Sequence, residues 1–202
     1  MIDPARDGLV LVDVQNDFCP GGSLAVPEGD RVVPVLNGYV ERFLAAGAPI
    51  FASRDWHPAT TKHFQAGGGA WPPHCVQGTA GAAFHAKLTV PAAAVVVSKG
   101  MDPDQDAYSA FQGQDAAGRP LAVALAERGL RRLYVGGLAT DYCVKATVLD
   151  ALREGFEVLV LADGVRAVDV KPGDGDRAIA EMRQAGARLV TLDAPEVTVF
   201  RR

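Results

Sequence analysis

Short runs of Val and Leu recur along the chain, and most are followed by a stretch whose apolar residues return every three or four positions. Leu9-Val10-Leu11-Val12 reads as a strand ending at Asp13. Asp30 is placed to cap a helix through Val33, Leu36, Val40, Phe43 and Leu44, which Gly47 stops. Pro49 to Ala52 is a second strand, and Ala93 to Val97 a third that ends at Ser98-Lys99. Pro120 to Arg128 has helical spacing, with Gly129 at its end. Leu133 to Val135 is the fourth strand, ending in Gly136-Gly137, and a helix follows from about Thr140 to Glu154. Val158 to Leu161 is the fifth strand, Asp176 to Ala185 a helix, and Arg188 to Val190 the sixth strand. Strands that are apolar throughout, rather than alternating, are covered on both faces. The predicted fold is therefore α/β: a doubly wound, mostly parallel six-stranded sheet with helices on both faces.

One segment breaks this rhythm. From about residue 55 to 91 the chain is rich in Gly, Pro and His, with little hydrophobic period and a flexible Gly67-Gly68-Gly69 stretch. A loop of this length inside a compact domain points to function. Nothing else reads as a linker or a repeat, so residues 1–202 are expected to form one domain.

Composition narrows the classes. A chain of 202 residues buries roughly 70% of its unfolded surface and needs no covalent staples. Its 24 acidic and 20 basic residues give a net charge of −4, with no basic block beyond Arg131-Arg132 and the terminal Arg201-Arg202. Nucleic acid is therefore not the expected partner. No apolar run approaches the ~20 residues that cross a bilayer, and the first residues carry no basic-then-apolar leader pattern. Three cysteines cannot build a disulfide framework, so a reducing, cytoplasmic setting is expected.

The reactive residues fall at strand ends and in the long loop. Three of the four histidines, His57, His63 and His74, accompany Asp55 in that loop, and imidazoles with a carboxylate suit a divalent transition metal. His85, also in the loop, reads as a bystander, and Cys19 and Cys75 read as core cysteines. Cys143 lies in a strand-to-helix turn, Gly136 to Cys143; with Thr140 as N-cap, the helix start would lower its thiol pKa. Asp13 and Lys99 each stand at the carboxyl end of an apolar strand, where open parallel sheets bind ligands. Asp13 is then the candidate proton acceptor for the thiol, and Lys99 the cation that favours the thiolate.

Four blocks in order carry a resemblance. Asp13 to Cys19 followed by Pro20-Gly21-Gly22-Ser23-Leu24, the loop Asp55-Trp56-His57 with His63 and Trp71-Pro72-Pro73-His74-Cys75, Ser98-Lys99-Gly100 with Asp106 to Phe111, and Gly137 to Val144 resemble the isochorismatase-like cysteine hydrolases. The histidine loop resembles their nicotinamidase (pyrazinamidase) branch. This resemblance spans essentially the whole chain. It implies Cys143 as nucleophile, Asp13 as proton carrier and Lys99 as third member of a triad. It implies one divalent metal, zinc first with iron or manganese as alternatives, on Asp55, His57, His63 and His74. It also implies an oxyanion hole from the backbone amides of Ala139 and Cys143, with a cis peptide before Ala139. Phe18 and Trp71 would sandwich a pyridine ring, with Tyr108 and Leu138 nearby; Tyr142 stands where relatives often carry His or Phe.

The implied activity is amide hydrolysis: nicotinamide to nicotinate and ammonia through a cysteine thioester, with pyrazinamide as a second substrate and a place in NAD salvage. The partner would be that small molecule, with no nucleic acid and no membrane, and a homo-oligomer is left open. Three alternatives stand beside it. One is a sister hydrolase acting on another small amide or carbamoyl compound. Another is a metal hydrolase in which Cys143 is a bystander, and the third a binding domain without catalysis.

Overall fold

The Val- and Leu-rich runs form β1 (Asp7–Val12), β2 (Ile50–Asp55), β3 (Val95–Lys99), β4 (Arg132–Leu138), β5 (Glu157–Arg166) and β6 (Arg188–Val190). The computed structural model describes residues 1–199, so the Arg201-Arg202 pair lies outside the described residues. The strands make one sheet in the order β3-β2-β1-β4-β5-β6, and every neighbouring pair is parallel. Four helices accompany them: α1 (Val32–Ala46), α2 (Leu121–Ala126), α3 (Lys145–Arg153) and α4 (Asp174–Gln184).

Central strand β1 shows why its sequence does not alternate. All six of its residues are buried. Leu9 and Leu11 pack on one face with Leu36, Tyr39 and Phe43 of α1. Val10 and Val12 pack on the other with Leu121 and Leu125 of α2, Val148 of α3 and Met182 of α4. One helix thus covers one face and three cover the other, as a doubly wound sheet requires. Helix α1 sits close: a Cβ on Gly136 of β4 or Gly164 of β5 would come within 2.9 Å of Leu36 Cδ2.

The strands run further than the apolar runs suggest, since polar residues at their carboxyl ends continue the ladder. β2 reaches Asp55 and β3 reaches Lys99, and these two residues are in register. β4 continues to Leu138, one residue past the Gly136-Gly137 pair. Gly137 pairs with Val12 at φ +133°, and a Cβ there would lie 2.0 Å from Val12 O. Only glycine lets the ends of β1 and β4 come this close. The strand order reverses between these two strands, and the crevice beyond their carboxyl ends is the binding place of such sheets.

Two helix starts differ from expectation. Asp30 does not cap α1; a 3₁₀ turn over Gly29–Arg31 leads into the helix, and its start has no side-chain cap. Gly47 ends it as expected, at φ +70°. Thr140 is not an N-cap either: Thr140–Val144 forms one wide π turn after Ala139, and the α-helix begins at Lys145. Such turns widen a helix locally and occur often at functional sites.

The segment from 56 to 94 carries β2 across to β3 with a single 3₁₀ turn, Gln65–Gly67, among its described helices and strands. Gln15, fully buried, fastens it. Its amide donates to Asp55 O (2.8 Å) and Ala82 O (2.9 Å), and its oxygen accepts from Asp55 N (2.8 Å). Among the described residues, no helix is long and apolar enough to cross a membrane.

The fit of α1 on the two glycines makes Leu36 a sensitive position. Leu36→Ala is expected to lower stability by about 2–5 kcal/mol, because the rigid sheet beneath it cannot collapse into the space. Urea unfolding followed by far-UV circular dichroism measures this; a loss under about 1 kcal/mol would contradict the close packing described.

Candidate active site

Four strand ends deliver their polar residues to one place. Asp13 follows β1 directly, and its φ of +48° turns the chain sharply there. Its Oδ1 accepts a hydrogen bond from Ser53 Oγ of β2 at 2.6 Å. Its Oδ2 lies 2.9 Å from Lys99 Nζ, off the axis of a directed hydrogen bond, and takes no hydrogen bond from any neighbour among the described residues. Lys99 is buried and surrounded by acceptors. Beyond the ion pair with Asp13, its ammonium donates hydrogen bonds to Asp55 Oδ1, to Ala107 O at 3.3 Å and to Cys143 Sγ at 3.5 Å. Ligand atoms of Asp13, Asp55 and Cys143 all lie within 4.8 Å of one another. The structure therefore brings together the acid, amine and sulfur expected from sequence.

Their electrostatics follow from burial around one cation. Desolvation pushes the Asp13 carboxyl above its ordinary pKa, and the pull of Lys99 does not offset it. Desolvation acts on Asp55 too, but there Lys99 and His57 win and hold the carboxyl below its usual range. Burial alone would lower Lys99; Asp13 and Asp55 reverse this and keep it charged. The Cys143 thiol moves opposite to the sequence expectation. Burial raises it most, and although Lys99 pulls it down, Asp13 and Asp55 push it up as well, so the net shift is upward. The sulfur thus rests as a thiol and needs a base, and a carboxyl that holds protons readily stands beside it.

On the other side of Asp55 are the three imidazoles. His57 Nδ1 donates to Gly100 O (3.0 Å), His74 Nδ1 to Pro72 O (2.8 Å) and His63 Nδ1 to Asp106 Oδ1 (2.5 Å). Each acceptor fixes the proton on Nδ1, which leaves the Nε2 lone pair free. Asp55 Oδ2 lies 3.7 Å from His57 Nε2 and 3.9 Å from His74 Nε2. One ligand atom from each imidazole falls within 4.8 Å of the others. His57 Nε2 is buried with no hydrogen-bond partner among the described residues. An orphaned lone pair facing two further nitrogens and a carboxylate oxygen fits a divalent cation. Burial lowers the His74 pKa to about 4, which keeps that ring in the neutral, ligating form. Gly100 makes room for the group: at φ +68°, a Cβ there would lie 2.4 Å from His57 Cε1.

A cleft enclosing about 420 Å³ of open space, its mouth included, lies over the sulfur and the imidazoles. Phe18, Trp71 and Tyr108 line it, as does Ala139. Leu138 does not. Its side chain is buried behind the cleft with the core of α1, and the peptide bond that follows it, Leu138–Ala139, is cis. Tyr142 takes a place on the wall instead, with its ring edge-on to Trp71 at 5.0 Å between centroids. Trp71 Nε1 donates to Tyr108 OH at 3.0 Å, so two tyrosines hold the indole. Leu24, Val26 and Val168 complete the apolar wall. His85, Cys19 and Cys75 stay outside this cleft, as expected. Sequence reasoning gave no role to Gln15, Ser53 or Asp106. The signal for Ser53 was a lone hydroxyl beyond the apolar run of β2; Gln15 and Asp106 lay within quoted blocks without a chemistry of their own.

A sulfur with an acid partner and an ammonium, beneath an apolar cleft at the switch point of a parallel sheet, is the arrangement that a thiol-dependent hydrolase requires. The match to known proteins agrees. The chain belongs to the isochorismatase family, whose domain matches residues 7–194. It is 44% identical over 200 residues to the nicotinamidase of Escherichia coli strain K12, covering 91% of this chain and 94% of that one. The pyrazinamidase of Pyrococcus horikoshii, solved in complex with zinc, superposes with a TM-score of 0.86 at 47% identity, covering 92% of this chain and 99% of that one. A protein of L. infantum solved in complex with nicotinate superposes with a TM-score of 0.81 at 36% identity, covering 95% of each chain.

Removing the shared ammonium tests the electrostatics. Lys99→Ala is expected to cost about 3–5 kcal/mol at neutral pH, since it strands two buried carboxylates. With the ammonium gone, both carboxyls titrate above their unfolded values. The folded state then holds more protons, and the variant gains stability as pH falls from about 7.5 to 5. In the wild type Asp55 has the reverse sign: its contribution is present at neutral pH and is lost as acid protonates it. Urea midpoints at the two pH values, with a chelator present, measure the variant's gain, since Asp55 of the wild type titrates only below this window; a variant no more stable at the lower pH contradicts this charge arrangement.

Proposed function

We propose that this chain hydrolyses the carboxamide of nicotinamide to give nicotinate and ammonia, and acts on pyrazinamide by the same route. The observation that carries the reading is the meeting of three strand ends, with Lys99 Nζ 2.9 Å from Asp13 Oδ2 and 3.5 Å from Cys143 Sγ. The relatives supply the substrate class, and the cleft agrees with it: an aromatic wall of Phe18, Trp71, Tyr108 and Tyr142 suits one flat ring.

Asp13 Oδ2 takes the thiol proton, and the sulfur of Cys143 adds to the carboxamide carbon. The amides of Ala139 and Cys143 receive the oxyanion. Asp13 then hands its proton to the nitrogen, the C–N bond breaks, and ammonia leaves a thioester on Cys143. Water adds to that thioester while Asp13 takes its proton. The C–S bond breaks, nicotinate departs and Asp13 returns the proton to sulfur. Lys99 stays charged throughout and steadies whichever of Asp13 and Cys143 is anionic. Phe18 and Trp71 hold the ring so that the carboxamide faces the sulfur.

Asp55, His57, His63 and His74 would hold one divalent ion, zinc first with iron or manganese as alternatives, and that ion would offer a Lewis-acid contact to the ring nitrogen. The three cysteines are free, which fits the reducing cytoplasm as the place of work.

Ammonia release from nicotinamide by wild type and Cys143→Ala tests the reading, with metal content measured on the same samples. The variant is expected to lose at least about 1,000-fold in kcat while keeping its metal. Full activity of Cys143→Ala would overturn the thiol mechanism and leave the metal-hydrolase alternative standing.

A further inference from the structure

Three successive residues after β3 touch three separate parts of the site. Asp106 Oδ1 accepts from His63 Nδ1, Ala107 O accepts from Lys99 Nζ, and Tyr108 OH accepts from Trp71 Nε1. The first of these contacts stands apart. His57 and His74 are oriented by the backbone carbonyls of Gly100 and Pro72, which any sequence could supply. His63 alone leans on a side chain, and that side chain is a carboxyl group.

Although 61% of the Asp106 side chain is exposed, its position is fixed from several sides. Gln112 Nε2 donates to Asp106 O at 3.3 Å, and Gln112 Oε1 accepts from the amides of Tyr108 (2.9 Å) and Ser109 (3.0 Å). Upstream, Lys62 N donates to Pro103 O at 2.8 Å and Lys62 Nζ pairs with Asp104 at 2.6 Å. The strand of chain bearing His63 is thereby laced to the one bearing Asp106. A carboxylate on the outer nitrogen of an imidazole fixes its tautomer, sets its ring angle and makes the inner nitrogen a stronger donor.

We propose that Asp106 is a positioning residue of the cation site, holding His63 so that Nε2 faces the other two imidazoles and strengthening the hold on the ion. This rests on the reading of Asp55, His57, His63 and His74 as its ligands. Asp106 itself touches neither the ion nor the substrate.

Zinc affinity of the metal-stripped full chain, measured by competition with a chromophoric chelator, tests it in wild type, Asp106→Ala, Asp106→Asn and His57→Ala. Asp106→Ala is expected to bind zinc about 10–100-fold more weakly. Asp106→Asn keeps an acceptor oxygen without the charge and is expected to fall between Asp106→Ala and wild type. Metal-free Asp106→Ala is expected to unfold at the wild-type urea midpoint, because the lost carboxylate is largely in water. Zinc binding by Asp106→Ala within about threefold of wild type, while His57→Ala has lost it, overturns the role of Asp106 and leaves the ligand set intact. Wild-type zinc binding by His57→Ala overturns the ligand set itself. A lowered midpoint of metal-free Asp106→Ala overturns the positioning role in favour of a structural one.

Discussion

A single buried ammonium holds the carboxyl ends of this sheet's strands together. Lys99 is enclosed by Asp13, Asp55, a backbone carbonyl and a thiol, with no water-facing alternative. One positive charge cannot neutralise two carboxylates, and burial makes the imbalance matter. The imbalance resolves in opposite ways at the two partners. Asp55 is driven to remain ionised, and its second oxygen turns towards the imidazoles. Asp13 is driven towards protonation, which suits the proposed passage of a proton from sulfur to ammonia.

Asp55 is therefore the hinge between two half-sites. One oxygen meets Lys99, beside Asp13 and Cys143, and the other faces the imidazoles of His57 and His74. The fold makes this possible because β2 and β3 pair with Asp55 opposite Lys99, so the ion pair is a cross-strand contact set by register. The sulfur arrives from the other side of the switch point, on a turn that can approach only because Gly137 has no side chain against β1. Moving either register by one residue would turn these side chains to the opposite face of the sheet.

Much of this was legible in the chain. A parallel sheet buried on both faces follows from unbroken runs such as Leu9 to Val12, and each of the six strands and four helices overlaps the stretch that the periodicity marked, all but β6 with different ends. A charged residue ending an apolar run marked Asp13 and Lys99, and clustering marked the histidines. What was missed depends on long-range geometry. Nothing local reveals that Leu138 points into the core while Tyr142 faces the cleft, since the intervening turn is a π turn rather than a regular helix start. The thiol pKa was misjudged for the same reason: the helix start and Lys99 are visible in sequence, but full burial beside two carboxylates is not. Asp30 failed as a cap because a 3₁₀ turn absorbs the entry to α1. Gln15, Ser53 and Asp106 act by bonds across 40 residues or more of chain, which no spacing rule reports.

Partition of a common intermediate bears most directly on whether the sulfur carries the acyl group. With hydroxylamine present, nicotinamide and a nicotinate ester should each yield nicotinate and nicotinohydroxamate in the same ratio, because both pass through one thioester on Cys143. A ratio that changes with the leaving group, or nicotinate alone from the amide, would mean that water attacks the substrate directly and that the triad does not work as described.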